Sequence, residues 1–192
     1  MILYRPVGLE ELLLIFESDM RAYPPRLPDQ PIFYPVLNEP YAAQIARDWN
    51  TKSGTFAGYV TRFSLPDDYA ASFAAQTVGA REHRELWVPA EQLAELNEQM
   101  LGPIEVIDAF FGSAFRGLTA TSSALAGKDA VAQLTALDAI RDPLALQREV
   151  SANRAAVFAH VPFWQRRSFE SEGIADARRD TLVIELNAML TA

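Results

Sequence analysis

Near Gly112 the chain changes character, and one uniform architecture does not accommodate both sides of the change. Before it, six of the twelve prolines crowd between Pro24 and Pro40, aromatics are frequent, and short runs alternate apolar with polar residues. After it, alanine rises and apolar residues recur at helical spacing, over 130–140 and again over 143–161, with no competing strand alternation. Charge divides at the same place. Residues 1–112 carry 8 Lys+Arg against 16 Asp+Glu and residues 113–192 carry 9 against 9, so the net −8 belongs to the first part. The pattern predicts an α+β protein, with a small mixed α/β domain over 1–112 followed by a mainly α-helical, Ala-rich region over 113–192.

Within the first part, Ile2, Leu3, Tyr4 and Val7 read as an opening strand stopped by Pro6 and Gly8, and residues 9–16 as an apolar helix. The prolines up to Pro40 hold an ordered extended segment, with Ile32, Phe33 and Tyr34 as an edge strand. Tyr41, Ala42, Ile45, Ala46 and Trp49 set the inward face of a helix over 39–49. Residues 56–65 alternate as a strand with Tyr59, Thr61 and Phe63 on one face. A short helix over 69–75, a strand over 85–88 and a helix over 90–100 follow, the last opened by Pro89. Residues 104–111 fit either strand or helix, and 181–190, equally ambiguous, are read as helix. Tyr23, Phe33, Tyr34, Trp49 and Trp87 are taken for core aromatics. Phe158, His160, Phe163 and Trp164, followed by Arg166 and Arg167, form either a partner-binding edge or a helix end with arginines near its carbonyls.

Composition narrows the chemistry. Without cysteine there is no disulfide, thiolate zinc site, iron–sulfur cluster or cysteine nucleophile. Two histidines, His83 and His160, do not make a multi-histidine metal centre, and no metal is expected. The phosphate-binding glycine loops and the nucleophile-elbow motif are missing. An acidic first domain without a basic stripe disfavours nucleic acid as a partner. No signal-peptide pattern and no long apolar run is present, so the expectation is a cytoplasmic protein off the membrane.

Several runs carry a resemblance: residues 3–8 (LYRPVG), 25–28 (PRLP), 30–36 (QPIFYPV), 58–63 (GYVTRF) and 85–91 (ELWVPAE). Over roughly residues 1–112 the chain resembles a family of small bacterial proteins that carries the label "ADP-ribosylation/crystallin J1". ADP-ribosylglycohydrolases, one enzyme class such a label covers, are larger and all-helical and hold two magnesium ions with clustered aspartates, which this sequence lacks. The order of elements is similar instead to the ADP-ribosyltransferase fold, which implies an NAD cofactor and a site of Arg5, Thr61 and Glu85. In that reading the Arg5 fork holds a phosphate or ribose of NAD, and the Thr61 hydroxyl fixes Arg5 or the ribose. Glu85 bonds the ribose 2′-hydroxyl and stabilises the cationic sugar. Tyr34, Tyr41 or Tyr59 stacks on nicotinamide, and His83 stands where such transferases carry a second acid or amide.

Two readings compete with NAD or ADP-ribose binding. One is a non-catalytic interaction module docking a protein partner, or a second copy, through the Ala-rich helices. The other is a small-molecule binding protein with an apolar pocket at Tyr23, Phe33 and Tyr34.

Overall fold

A computed structural model describes residues 1–120 and 123–191. Thr121, Ser122 and Ala192, which the sequence reading includes in the helical region, lie outside the described residues. The fold is α+β, and the chain divides into two compact units, Met1–Ser113 and Ala114–Ala192.

In the first unit β1 (Ile2–Val7) pairs antiparallel with β3 (Ala57–Ser64), and β3 with β6 (Glu105–Phe111). The ambiguous 104–111 segment is thus a strand. A second sheet has the order β2 (Ile32–Phe33), β5 (Arg84–Pro89), β4 (Ala74–Thr77). Val36 joins the two by bridging Tyr4 on one side and Glu85 on the other. Pro6 does not end β1, because the Tyr4 amide points toward Val36 and Pro6, two residues on, would point its missing N–H the same way, outside the β1–β3 ladder.

Antiparallel register sorts the side chains by face. Leu3, Arg5 and Val7 oppose Phe63, Thr61 and Tyr59 on one face, and Tyr4 and Pro6 oppose Arg62 and Val60 on the other. The first face is covered from α1 (Leu9–Glu17), through buried Leu12 and Ile15, and by Tyr23 and Phe33 of the proline segment. The Tyr23 ring lies 4.9 Å from Phe33 and 5.1 Å from Phe63. Asn97 of α4 (Leu93–Glu98) fixes Tyr23 by accepting its amide and donating to its carbonyl, both at 3.0 Å.

The second face is covered by α2 (Glu39–Asp48), started by Asn38, whose side chain accepts the Tyr41 amide at 2.9 Å. Val36, Tyr41, Ala42, Ala46 and Val60 form the core there. Trp49 is not part of it: the helix has ended by that point and the indole is 66% exposed. Trp87 is also outside the core, at 43%.

The segment after Pro66 departs from expectation. A single helical turn, α3 (Asp67–Ala70), is followed by β4 where helix was expected. Alanine favours helix weakly, and hairpin pairing of Ala74–Thr77 with Arg84–Trp87 overrides it.

Among the described residues the second unit has four α-helices: α5 (Ala130–Ala139), α6 (Pro143–Ala152), α7 (Arg154–Arg166) and α8 (Asp176–Thr191). The expected helix over 143–161 is broken at Asn153, with φ −129° and ψ 30°. The 181–190 stretch is helical because Leu182, Val183, Leu186 and Leu190 bury against Leu134, Leu137, Val157 and Trp164. His160 and Trp164 are core residues, not an exposed edge. Arg167 pairs with Glu172 at 2.7 Å and lies over Phe169.

Candidate functional site

Arg5 sits near the end of β1, where the chain turns through Gly8 into α1. The first helical turn brings Glu11 back against it: Arg5 Nε donates to Oε1 at 2.7 Å and Nη2 to Oε2 at 3.2 Å. Arg5 Nη1 donates to the Tyr34 carbonyl at 3.4 Å, and the guanidinium lies 4.6 Å from the Phe33 ring centre. Arg5 is therefore buried, charged and neutralised by a bidentate carboxylate.

Beside this pair opens a pocket of about 400 Å³. One wall is Arg5 with the first turn of α1, Gly8 to Glu11. A second is Arg26 and Gln30, and a third the turn from Asn50 to Thr55. Arg26 bonds the Gln30 side-chain oxygen through Nη2, while its Nε is buried without a hydrogen-bond partner among the described residues. Burial first, and the like charge of Arg5 second, lower its hold on the proton. The helix begins at Gly8 with no side-chain cap to take the amides of its first turn, and the residues of that turn line the pocket. Glu10 and Glu11 supply carboxylate oxygens on the same wall.

The residues expected from sequence separate into two groups. Arg5 and Thr61 are direct cross-strand neighbours, but Thr61 is fully buried and its hydroxyl donates to the Arg5 carbonyl at 2.8 Å. That uses its only proton, so the Tyr23 hydroxyl, 2.8 Å away, must donate to Thr61. Burial pushes the Tyr23 hydroxyl far above its ordinary titration range. Thr61 thus holds Tyr23 and the backbone of β1; its proton is spent and it is closed off from solvent.

Glu85 belongs to the other face. Through Val36 it aligns with Tyr4, whose side chain points opposite to that of Arg5. It accepts the Trp87 indole N–H at 2.8 Å. Tyr34 presents its ring edge-on to Trp87 at 5.8 Å. His83 stacks on Tyr41 at 4.2 Å and 9°, with Nε2 3.1 Å from the Gln44 side-chain oxygen. Burial, then the Glu85 charge, raises the Tyr41 hydroxyl above its usual range. Tyr59 is fully buried, its ring 5.7 Å from that of Phe111, and it does not line the pocket beside Arg5. Arg5, Thr61 and Glu85 therefore do not converge on one space.

Sequence reasoning missed Glu11, Arg26 and the helix start. The signal for the first was local: a glycine after a strand, then two acids in a first helical turn, returns a carboxylate to the strand end. Arg26, set among prolines, had no such signal. Among the described residues no three His, Asp or Glu side chains gather as a metal site, and no helix is long and apolar enough to cross a membrane.

Fold and site together describe a two-unit α+β protein with an arginine-walled pocket at the end of its first strand. The chain matches no protein-family model, no curated protein and no solved structure.

Proposed function

We propose that the first unit binds a small phosphorylated nucleotide of the NAD or ADP-ribose class in the pocket between Arg26 and the start of α1. The observation that carries this reading is Arg26, a cation that lines the same pocket as the uncapped first turn of α1 and whose buried Nε lacks a partner among the described residues. A buried unpaired donor is costly, and phosphate oxygens accept both from a guanidinium and from the amides of a helix start. Glu10 on the same wall suits ribose hydroxyls, which donate to carboxylates. The volume falls within the ordinary range for small-ligand sites. Arg5 takes part by positioning: bonded to Glu11, it sets the helix start.

The geometry favours binding over transfer. A ligand at Arg26 is on the face away from Glu85, so no carboxylate from β5 can stabilise a cationic ribose there. The resemblance to the ADP-ribosylation-labelled bacterial family agrees with the ligand class.

Titration calorimetry with ADP-ribose and with NAD tests this. Arg26→Ala is expected to weaken binding at least about tenfold, the loss of one charge-assisted hydrogen bond, while Glu85→Ala leaves it unchanged. Equal affinity for Arg26→Ala and the natural protein, or loss on Glu85→Ala, would overturn the assignment.

A further inference from the structure

The joined sheets of the first unit end at β6 on one side and β4 on the other. An open sheet edge offers unpaired backbone groups to any passing strand, and proteins guard such edges with charges, bulges or proline. β6 is guarded: it carries Glu105 and Asp108, and its register with β3 shifts at Ile107. β4 is not. Ala74, Ala75, Gln76 and Thr77 are uncharged, regularly paired with β5, and exposed on both faces.

We propose that β4 is a self-association edge, through which two copies of this chain pair antiparallel about a two-fold axis. The hydrogen-bond parity allows it. The Val78 amide donates to the His83 carbonyl at 2.8 Å, and on the far side of β5 the Leu86 amide donates to Pro35. Ladder bonds between β4 and β5 therefore belong to Ala74 and Gln76, and the amides and carbonyls of Ala75 and Thr77 point outward. With the axis at Gln76, Ala75 meets the partner's Thr77 and Thr77 meets the partner's Ala75. Each pair exchanges two bonds, and the same pattern serves both copies, as an isologous contact requires.

Charge selects a second copy as the occupant. The excess of acid in this protein lies in residues 1–112, so two copies repel over most of that surface. Residues 69–80, around β4, contain no charged side chain, and a contact centred on Gln76 brings this neutral strip against itself. A basic partner would instead be drawn to the acidic surface. The small side chains of Ala74 and Ala75 leave both faces open to the approaching strand and its Val78. Because β4 is short, the dimer forms by mass action, not as an obligate assembly.

Sedimentation equilibrium of the full chain over a roughly hundredfold dilution series is expected to show monomer passing to dimer. Ala75→Pro and Thr77→Pro each remove an outward amide without touching the β4–β5 ladder, and each is expected to weaken dimerisation at least tenfold, with circular dichroism confirming the fold. Hydrogen exchange gives a reading without substitution: the Ala75 and Thr77 amides should exchange slowly in concentrated samples and fast in dilute ones. A protein that stays monomeric throughout, a dimer that persists in both proline variants, or exchange at these two amides that is independent of concentration would overturn the proposal.

Discussion

Gly58→Ala should cost the first unit about 3 kcal/mol, the upper range for forcing volume into a packed core. A Cβ at this position on β3 would sit 2.1 Å from the Ala46 carbonyl oxygen and 2.7 and 2.8 Å from its carbonyl carbon and Cα. These are backbone atoms of α2, so no side chain can rotate away. The helix must withdraw from the sheet, and the packing of Tyr41, Ala42 and Ala46 on Val36 and Val60 loosens with it. Gly8→Ala is the contrast, since nothing lies within 4 Å of the added methyl; its effect should stay within about 0.5 kcal/mol. Urea unfolding followed by circular dichroism compares the two. A Gly58→Ala midpoint close to that of the natural protein would mean that α2 does not lie so near β3.

The second large effect is a response of the C-terminal unit to acid. His160 is fully buried, and its Nε2 accepts the Leu118 amide at 2.8 Å, which puts the ring proton on Nδ1. Gly117, at φ +78°, passes so close that a Cβ there would meet His160 Nε2 at 2.2 Å. Gln133 donates to the carbonyls of Leu118 and Lys128 at 2.7 and 2.8 Å, which helps hold Leu118 in place beside the ring. A protonated Nε2 would set donor against donor. Burial depresses the imidazole to about 4, with Asp129 opposing weakly.

The sign follows from linkage. Above the unfolded value near 6.5 the ring is neutral in both states and costs nothing. Between that value and about 4 the unfolded chain takes a proton that the folded one refuses, so stability falls as pH falls. Below about 4 the loss levels off at about 3 kcal/mol. Trp164 packs beside His160 and reports the transition by fluorescence once the exposed Trp49 and Trp87 are replaced by phenylalanine. His160→Gln, whose side-chain oxygen can accept the Leu118 amide, should flatten the slope between pH 6.5 and 4. An unchanged slope would assign the acid response to the carboxylates.

Local signals in the sequence account for much of this fold. The alternation of 56–65 and the apolar helical face over 39–49 each have a mechanism confined to a few residues, and the strand and helix they predict are both present. The failures needed distant information. β4 is a strand because β5 lies beside it. The break at Asn153 and the exposure of Trp49 depend on which surfaces meet in three dimensions. The site shows the same limit. Arg5 and Thr61 stand opposite each other because β1 pairs with β3, but order along the chain carries no information on which face of a strand Glu85 occupies. That depended on Val36 aligning Glu85 with Tyr4 instead of Arg5.

Gly8→Asp separates the pocket from the fold that builds it. Gly8 has φ −81° and ψ 176°, ordinary extended backbone with open space around the missing Cβ, so aspartate fits and can cap α1, leaving stability equal or a few tenths of a kcal/mol higher. The same carboxylate would occupy the helix amides and repel a phosphate. The deciding measurement is ADP-ribose titration of the natural protein and Gly8→Asp side by side, with thermal unfolding of both. Saturable one-to-one binding that vanishes in a fully folded Gly8→Asp is the expected result, whereas undiminished binding in the variant, or no binding by the natural protein, would contradict a nucleotide site at the start of α1.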